Sequence, residues 1–139
     1  MSRFVLDASV GLSWFVDKPV APDAEHARLL LTKGWAARVP AIWQLEMLNG
    51  FVKAERRLSL TGDEVDESFV EMQRLLATSI RLDTGLSLLE DTLMLARSLQ
   101  VTSYDASYIE LSTREGLPLA TLDKGLRAAA AKAGVALLK

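Results

Sequence analysis

The chain has 139 residues, half of them hydrophobic, a formal net charge of -2 and no cysteine, which predicts one compact domain over residues 1–139 and excludes disulfides, thiolate zinc sites and cysteine nucleophiles. No run approaches the roughly 18 consecutive apolar residues of a membrane span, and the N-terminus lacks the basic, apolar and small-residue regions of a signal peptide, so a cytoplasmic protein without membrane contact is expected. The slight acidic balance does not advertise nucleic-acid binding; if several acids were gathered in one metal site, however, the surface carrying Lys53, Arg56, Arg57, Arg114, Lys124 and Arg127 could still be locally positive.

A strand is expected at Arg3 to Leu6, followed by a short helix from Ala8 to Val16. Pro19 and Pro22 break the chain before a helix through Ala24 to Thr32. Ala37 to Val39 reads as a second strand, Pro40 suits the first turn of the next helix, and Ile42 to Arg57 has helical rather than alternating periodicity. Thr61 to Glu64 has the form of a capping box, opening a helix with Val65, Phe69, Met72, Leu75 and Leu76 on one side. A strand follows at Ile80 to Leu82, then helices from about Leu86 to Leu99 and from Asp105 to Arg114. The chain closes with a strand near Leu119 to Leu122, a helix from Lys124 to Ala133 and a strand near Val135 to Leu137. Gly116 and Gly134 sit just past helices they would terminate. Strands alternating with helices over short connections predict an α/β fold, an α/β/α sandwich with a central parallel sheet. No repeat, low-complexity tract or linker suggests a second module.

Four acids stand out from this pattern. Phe4-Val5-Leu6 runs into Asp7, Leu119-Ala120-Thr121-Leu122 into Asp123, and Val101-Thr102-Ser103-Tyr104 into Asp105, each ahead of a helical segment. The three aspartates are therefore expected at strand-to-helix junctions, which in an open α/β sheet lie at the carboxyl edge where ligands bind. Any one of them has an ordinary explanation as a helix N-cap. Glu46 has no such explanation, because it lies inside a helix. There Glu46, Asn49 and Lys53 form a narrow polar stripe, with apolar residues on both flanks that predict burial on two sides. A solvated stripe with an Asn49 to Lys53 contact is the alternative.

Carboxylates gathered at one edge repel each other. At about 4 Å and an effective dielectric near 20, one like-charged pair costs on the order of 4 kcal/mol, which a bound divalent cation relieves. Oxygen-only ligands select hard ions, so magnesium, with manganese able to substitute, fits better than zinc. Such ions orient phosphate and activate water for in-line displacement, and phosphodiester hydrolysis is the expected chemistry. Ser9 and Thr121 lie two residues from Asp7 and Asp123, and Asn49 lies one helical turn from Glu46, so all three are candidates to orient ligands or metal-bound water. Backbone capping is the alternative for the two hydroxyls.

His26, the single histidine, sits in a polar helical stretch and reads as a surface residue, which counts against a triad hydrolase. No Walker loop or dinucleotide fingerprint is present. Trp14, Phe15, Trp35, Trp43 and Phe51 offer base-stacking platforms in principle, with core or dimer-interface packing the commoner use of such residues.

The segments Phe4-Val5-Leu6-Asp7-Ala8-Ser9, Trp43-Gln44-Leu45-Glu46-Met47-Leu48-Asn49, Tyr104-Asp105-Ala106-Ser107-Tyr108 and Leu119-Ala120-Thr121-Leu122-Asp123-Lys124, in this order and spacing, resemble the PIN-domain ribonucleases, and within them the VapC-type toxins of bacterial toxin-antitoxin pairs. The resemblance spans essentially the whole chain. It implies a metal-dependent endoribonuclease with Asp7, Glu46, Asp105 and Asp123 as the acidic site. Asp7 and Asp105 would be the principal metal ligands, with Glu46 and Asp123 binding a second ion or ordering its waters. Ser9 and Thr121 match polar positions of that site, and Asn49 a polar position following the glutamate. The resemblance further implies a homodimer, a cognate VapB-type antitoxin whose tail occludes the acidic groove, and an RNA target of the structured kind, often transfer RNA. Two other readings are carried beside it: a catalytically weak PIN-like module that binds RNA or protein, and a small-molecule phosphohydrolase.

Overall fold

A computed structural model describes residues 2–84 and 88–139. In chain order the elements are β1 (Arg3–Leu6), α1 (Ala8–Val16), α2 (Pro22–Thr32), β2 (Ala36–Pro40), α3 (Ile42–Arg56), α4 (Gly62–Thr78), β3 (Ile80–Asp83), α5 (Leu89–Leu99), α6 (Ser103–Glu115), β4 (Leu119–Ala120) and α7 (Lys124–Lys132). The described strands form one parallel sheet in the order β3-β2-β1-β4, flanked by helices. Phe4, Val5, Leu6, Ala37, Val39 and Leu119 are wholly buried, as expected of parallel strands covered on both faces, and the half-buried Arg38 alone interrupts the apolar run of β2.

Strand order decides what the carboxyl edge carries. β1 lies between β2 and β4, with Phe4 opposite Ala37 and Leu6 opposite Ala120. The Asp7 amide continues this pairing with a 3.0 Å bond to the Ala120 carbonyl. Residues 7 and 121 to 123, more than a hundred positions apart in the chain, thus leave the sheet side by side.

α3 and α1 approach closely because glycine stands on both sides of their contact. A Cβ on Gly50 would fall 2.3 Å from Leu12 Cδ2, and one on Gly11 would fall 3.0 Å from Met47 Sδ. Trp43, Met47 and Phe51 of α3 fill the core beneath this contact, and Phe15 meets Phe51 edge-on at 5.5 Å between ring centres. The packing sets Glu46, on the adjoining face of α3, beside the N-terminus of α1. Trp43 and Phe51 are therefore core residues, while Trp14 lends its indole N–H to the Ala24 carbonyl at 2.7 Å.

The capping box at Thr61 forms in both directions, at 3.1 Å and 2.9 Å. Gly116 and Gly134 end α6 and α7 with φ of +65° and +74°. A side chain is strained at such angles, so Gly116→Ala should lower the unfolding free energy by about 1 kcal/mol, read as a shift of the urea midpoint at constant slope. Arg38 bridges Glu115 at 2.8 Å and Asp83 at 3.4 Å, and Arg114 joins Asp83 to the buried Glu110, tying α6 to β2 and β3.

Several expectations need correction. Pro40 ends β2 instead of opening α3, whose N-cap is Ala41. Val135 to Leu137 makes only an isolated bridge, Leu119 to Leu137, because β4 is two residues long and offers little edge to pair with. No strand precedes Asp105: Val101 and Thr102 are irregular, and α6 begins at Ser103. The second apolar flank of α3 is not buried, since Leu45 is 63% and Val52 43% exposed. α5 is described from Leu89, and the expected start at Leu86 lies outside the described residues.

Candidate active site

A cavity of about 680 Å³ opens at the carboxyl edge, lined by Asp7, Glu46, Asp105 and Asp123 together with Ser9 and Asn49. Asp7 leaves β1 at the N-terminus of α1, Glu46 and Asn49 come from α3, Asp105 from the first turn of α6, and Asp123 from the N-cap of α7. Thr121 does not line the cavity but reaches Asp7 from behind it. His26 stands apart, exposed on α2 at a small separate cavity with Asp23 and Arg127.

Asp7 is the fixed point of the cluster, 6% exposed. Its Oδ2 accepts from Ser9 Oγ at 2.6 Å and from Thr121 Oγ1 at 2.7 Å. Each hydroxyl has one proton, and each is turned the same way by a backbone donor behind it: Leu122 N–H to Ser9 Oγ at 2.9 Å, Asp123 N–H to Thr121 Oγ1 at 3.0 Å. Two amides of the β4–α7 loop are thus relayed through two hydroxyls onto one carboxylate oxygen. Arg127 braces the same loop, donating to the Thr121 carbonyl at 3.0 Å while pairing with Asp23 at 2.8 Å.

Capping accounts for one of the three aspartates. Asp123 Oδ2 accepts from the Leu126 amide at 2.9 Å and caps α7. In α6 the cap is Thr102, whose Oγ1 accepts from the Asp105 amide at 3.1 Å, so the Asp105 carboxylate is not needed there.

Burial raises the Asp7 carboxyl above its ordinary range, opposed by the Ser9 and Thr121 hydroxyls. Glu46 is raised chiefly by desolvation and further by the charges of Asp7 and Asp105, against the pull of a Tyr108 hydrogen bond. Asp105 is raised by desolvation and then by the charges of Asp123 and Asp7. Glu46 and Asp105 therefore each feel other carboxylates across the cavity.

Tyr108 is the site residue that sequence reasoning passed over. Its ring is wholly buried, and its hydroxyl donates to Glu46 Oε1 at 2.6 Å. Burial, then the charges of Asp7 and Glu46, push its own ionisation far upward, so it remains a donor. The available signal was spacing, since Tyr108 lies one turn beyond Asp105 on the same helix face.

The donor set is oxygen-only and mutually repelling, which suits a hard divalent ion. In this conformation no trio of acid or histidine side chains is drawn into a ligating cluster among the described residues. The cavity is wide enough for an ion that keeps several of its waters. The residues thus fit a hydrated cation better than a closed all-protein cage.

Residues 4–132 match the family model of the PIN domain. The chain belongs to the PIN domain family. Members of this family are generally metal-dependent nucleases and typically bind divalent metal ions. Among solved structures, the chain is similar to the crystal structure of PAE2754 from Pyrobaculum aerophilum, with a TM-score of 0.66 and 22% identity over 92% of this chain and 79% of that one. That likeness supports the PIN-like fold. No curated protein matches the chain. Among the described residues, no helix is long and apolar enough to cross a membrane.

Proposed function

We propose that this PIN-domain protein is a magnesium-dependent endoribonuclease, with manganese able to substitute, acting as the toxin of a VapC-type toxin-antitoxin pair. The carrying observation is the set of four carboxylates from four separate elements that line one cavity, where the charges of neighbouring acids add to the raised proton affinity of Glu46 and Asp105. Asp7 and Asp105 would hold the ion, with Glu46 and Asp123 holding a second or ordering its water. When bound, the ion supplies an activated water and stabilises charge on the phosphate and the leaving oxygen.

The chain's own groups prepare that step. Ser9 and Thr121 fix the plane of Asp7 and oppose the protonation that burial favours. Tyr108 holds Glu46 by Oε1 and leaves Oε2 to order water. Asn49, one turn along α3, adds an amide to the same wall. Exposed Leu45, Leu89, Leu93 and Met94 support the expectation of a homodimer, since apolar side chains this accessible mark contact surfaces when they adjoin.

Tyr108→Phe keeps the ring and removes only the hydroxyl. It should slow cleavage on the order of tenfold with the fold unchanged. The Tyr108 bond lowers the Glu46 pKa, so its loss raises that pKa and should move the acid limb of the pH-rate profile to higher pH. An unchanged rate and profile would remove Glu46 from the reaction.

The test of the function is incubation of total cellular RNA with purified protein, in magnesium or manganese against chelator. Discrete fragments that require metal are expected. Intact RNA under every condition, with hydrolysis of phosphate monoesters instead, would favour a small-molecule phosphohydrolase; intact RNA with tight RNA binding would favour a non-cleaving module.

A further inference from the structure

The acidic cavity continues along α3 beyond the carboxylates. Glu46, Asn49, Lys53 and Arg57 follow one another at steps of three, four and four residues, and all line the same cavity. At a rise of 1.5 Å per residue, Lys53 lies about 10 Å and Arg57 about 16 Å along the axis from Glu46. Neither cation makes an ion pair among the described residues. The exposed Asp17 also lines the cavity. At the opposite end Tyr104, adjacent to Asp105, is 57% exposed and presents its ring where the cavity meets an apolar recess formed by Ile42, Leu45 and Leu89.

We propose that Lys53 and Arg57 form a phosphate subsite at one end of the cavity and Tyr104 a base-stacking platform at the other, so that the substrate strand crosses the four acids between them. The inference rests on the nuclease reading and adds the residues that position its substrate. Four carboxylates repel a polyanion; two cations on the same wall, neither ion-paired among the described residues, offset this, and their distance from Glu46 is reached by a strand and not by a lone phosphate monoester. An exposed ring beside the acids gives a neighbouring base a flat apolar surface, which every base can use.

The test is binding of a labelled single-stranded RNA oligonucleotide in magnesium, by fluorescence anisotropy across a salt series. All variants are made on an Asp7→Asn background so that the probe stays intact, and thermal melts check folding. Lys53→Ala/Arg57→Ala should flatten the slope of log affinity against log salt by about 1.4, or 0.7 per lost phosphate contact, while Lys53→Arg/Arg57→Lys keeps it. Tyr104→Ala should weaken binding on the order of tenfold at every salt concentration without changing the slope, while Tyr104→Phe binds like the parent. An unchanged slope in the double alanine variant, or parental binding by Tyr104→Ala, overturns the proposal. If the otherwise native protein nonetheless cleaves RNA with metal, the nuclease reading survives that failure. If the native protein does not cleave but the slope flattens and Tyr104→Ala weakens binding, the subsites stand as an RNA-binding groove and the nuclease reading falls.

Discussion

Asp7→Asn should lower metal-dependent RNA cleavage by about a hundredfold to a thousandfold while leaving the fold intact. The substitution keeps the volume of a side chain that is almost wholly buried and removes the charge that a cation needs. Losing a ligand to an ion that contributes several kcal/mol to the transition state gives an effect of this order, at about tenfold per 1.4 kcal/mol. The asparagine carbonyl oxygen can take the place of Oδ2 and still accept from both Ser9 and Thr121, while the amide nitrogen replaces the remaining carboxylate oxygen with donors that no cation accepts. The check is the initial rate on one RNA beside circular dichroism and melting of both proteins. Full activity in a folded variant would mean that Asp7 holds no ion.

The second large effect is on stability, and its sign follows from the raised carboxyls. Asp7, Glu46 and Asp105 bind protons more tightly in the folded protein than at their ordinary values of 3.8, 4.5 and 3.8. Without metal, the stability that protonation contributes is complete below those values and is lost as pH rises through the higher, folded ones. The metal-free protein therefore carries a stability deficit at neutral pH from these three groups, and a divalent ion reverses it. At a hundredfold excess over its dissociation constant an ion stabilises by about 2.7 kcal/mol. For a chain of this size that amounts to roughly 10 °C in melting temperature. The difference between metal and chelator should be full at neutral pH and vanish as pH falls through the raised values. Taking that difference cancels unrelated carboxylates such as Glu25, Glu64 and Glu71, whose pKa values are lowered by their own partners. Asp105→Asn should shrink the metal-induced shift and raise the melting temperature in chelator, because it removes a charge that also bears on Glu46. A metal shift of equal size at acid and neutral pH would show binding elsewhere.

The parts of this molecule that could be read in its sequence are those where local chemistry and burial agree. β1 ends and α1 begins where the Phe4-Val5-Leu6-Asp7 junction suggests, because the buried stretch of a central parallel strand is apolar and a polar residue marks its exit. The Thr61 capping box was legible because its two hydrogen bonds need only residues three apart. Asp105 misled for the same reason in reverse. Val101 looks like a strand end, but Thr102, the next residue, supplies the cap, and the helix starts before the acid. Pro40 is compatible with a first helical turn and with a strand end alike, and here it pairs with Asp83 across β2 and β3. The outer flank of α3 was read as buried because Leu45 and Val52 are apolar, and nothing in a single sequence distinguishes a core face from a contact face.

The acids were legible as candidates, and the groups that orient them were less so. Ser9 and Thr121 stood out by proximity in the chain, and both do reach Asp7. Tyr108 was signalled only by its spacing from Asp105, and its contact with Glu46, like the bond from Arg127 to the Thr121 carbonyl six residues back, is revealed by the packing of α6 and α7.

The measurement that bears most directly on a carboxylate metal centre is titration of manganese into the protein at neutral pH, followed by the electron paramagnetic resonance of the free ion, with Asp7→Asn beside it. Saturable binding displaced by magnesium, weakened about tenfold or more in the variant, is the predicted result. Absence of saturable binding, or equal affinity in the two proteins, would contradict it.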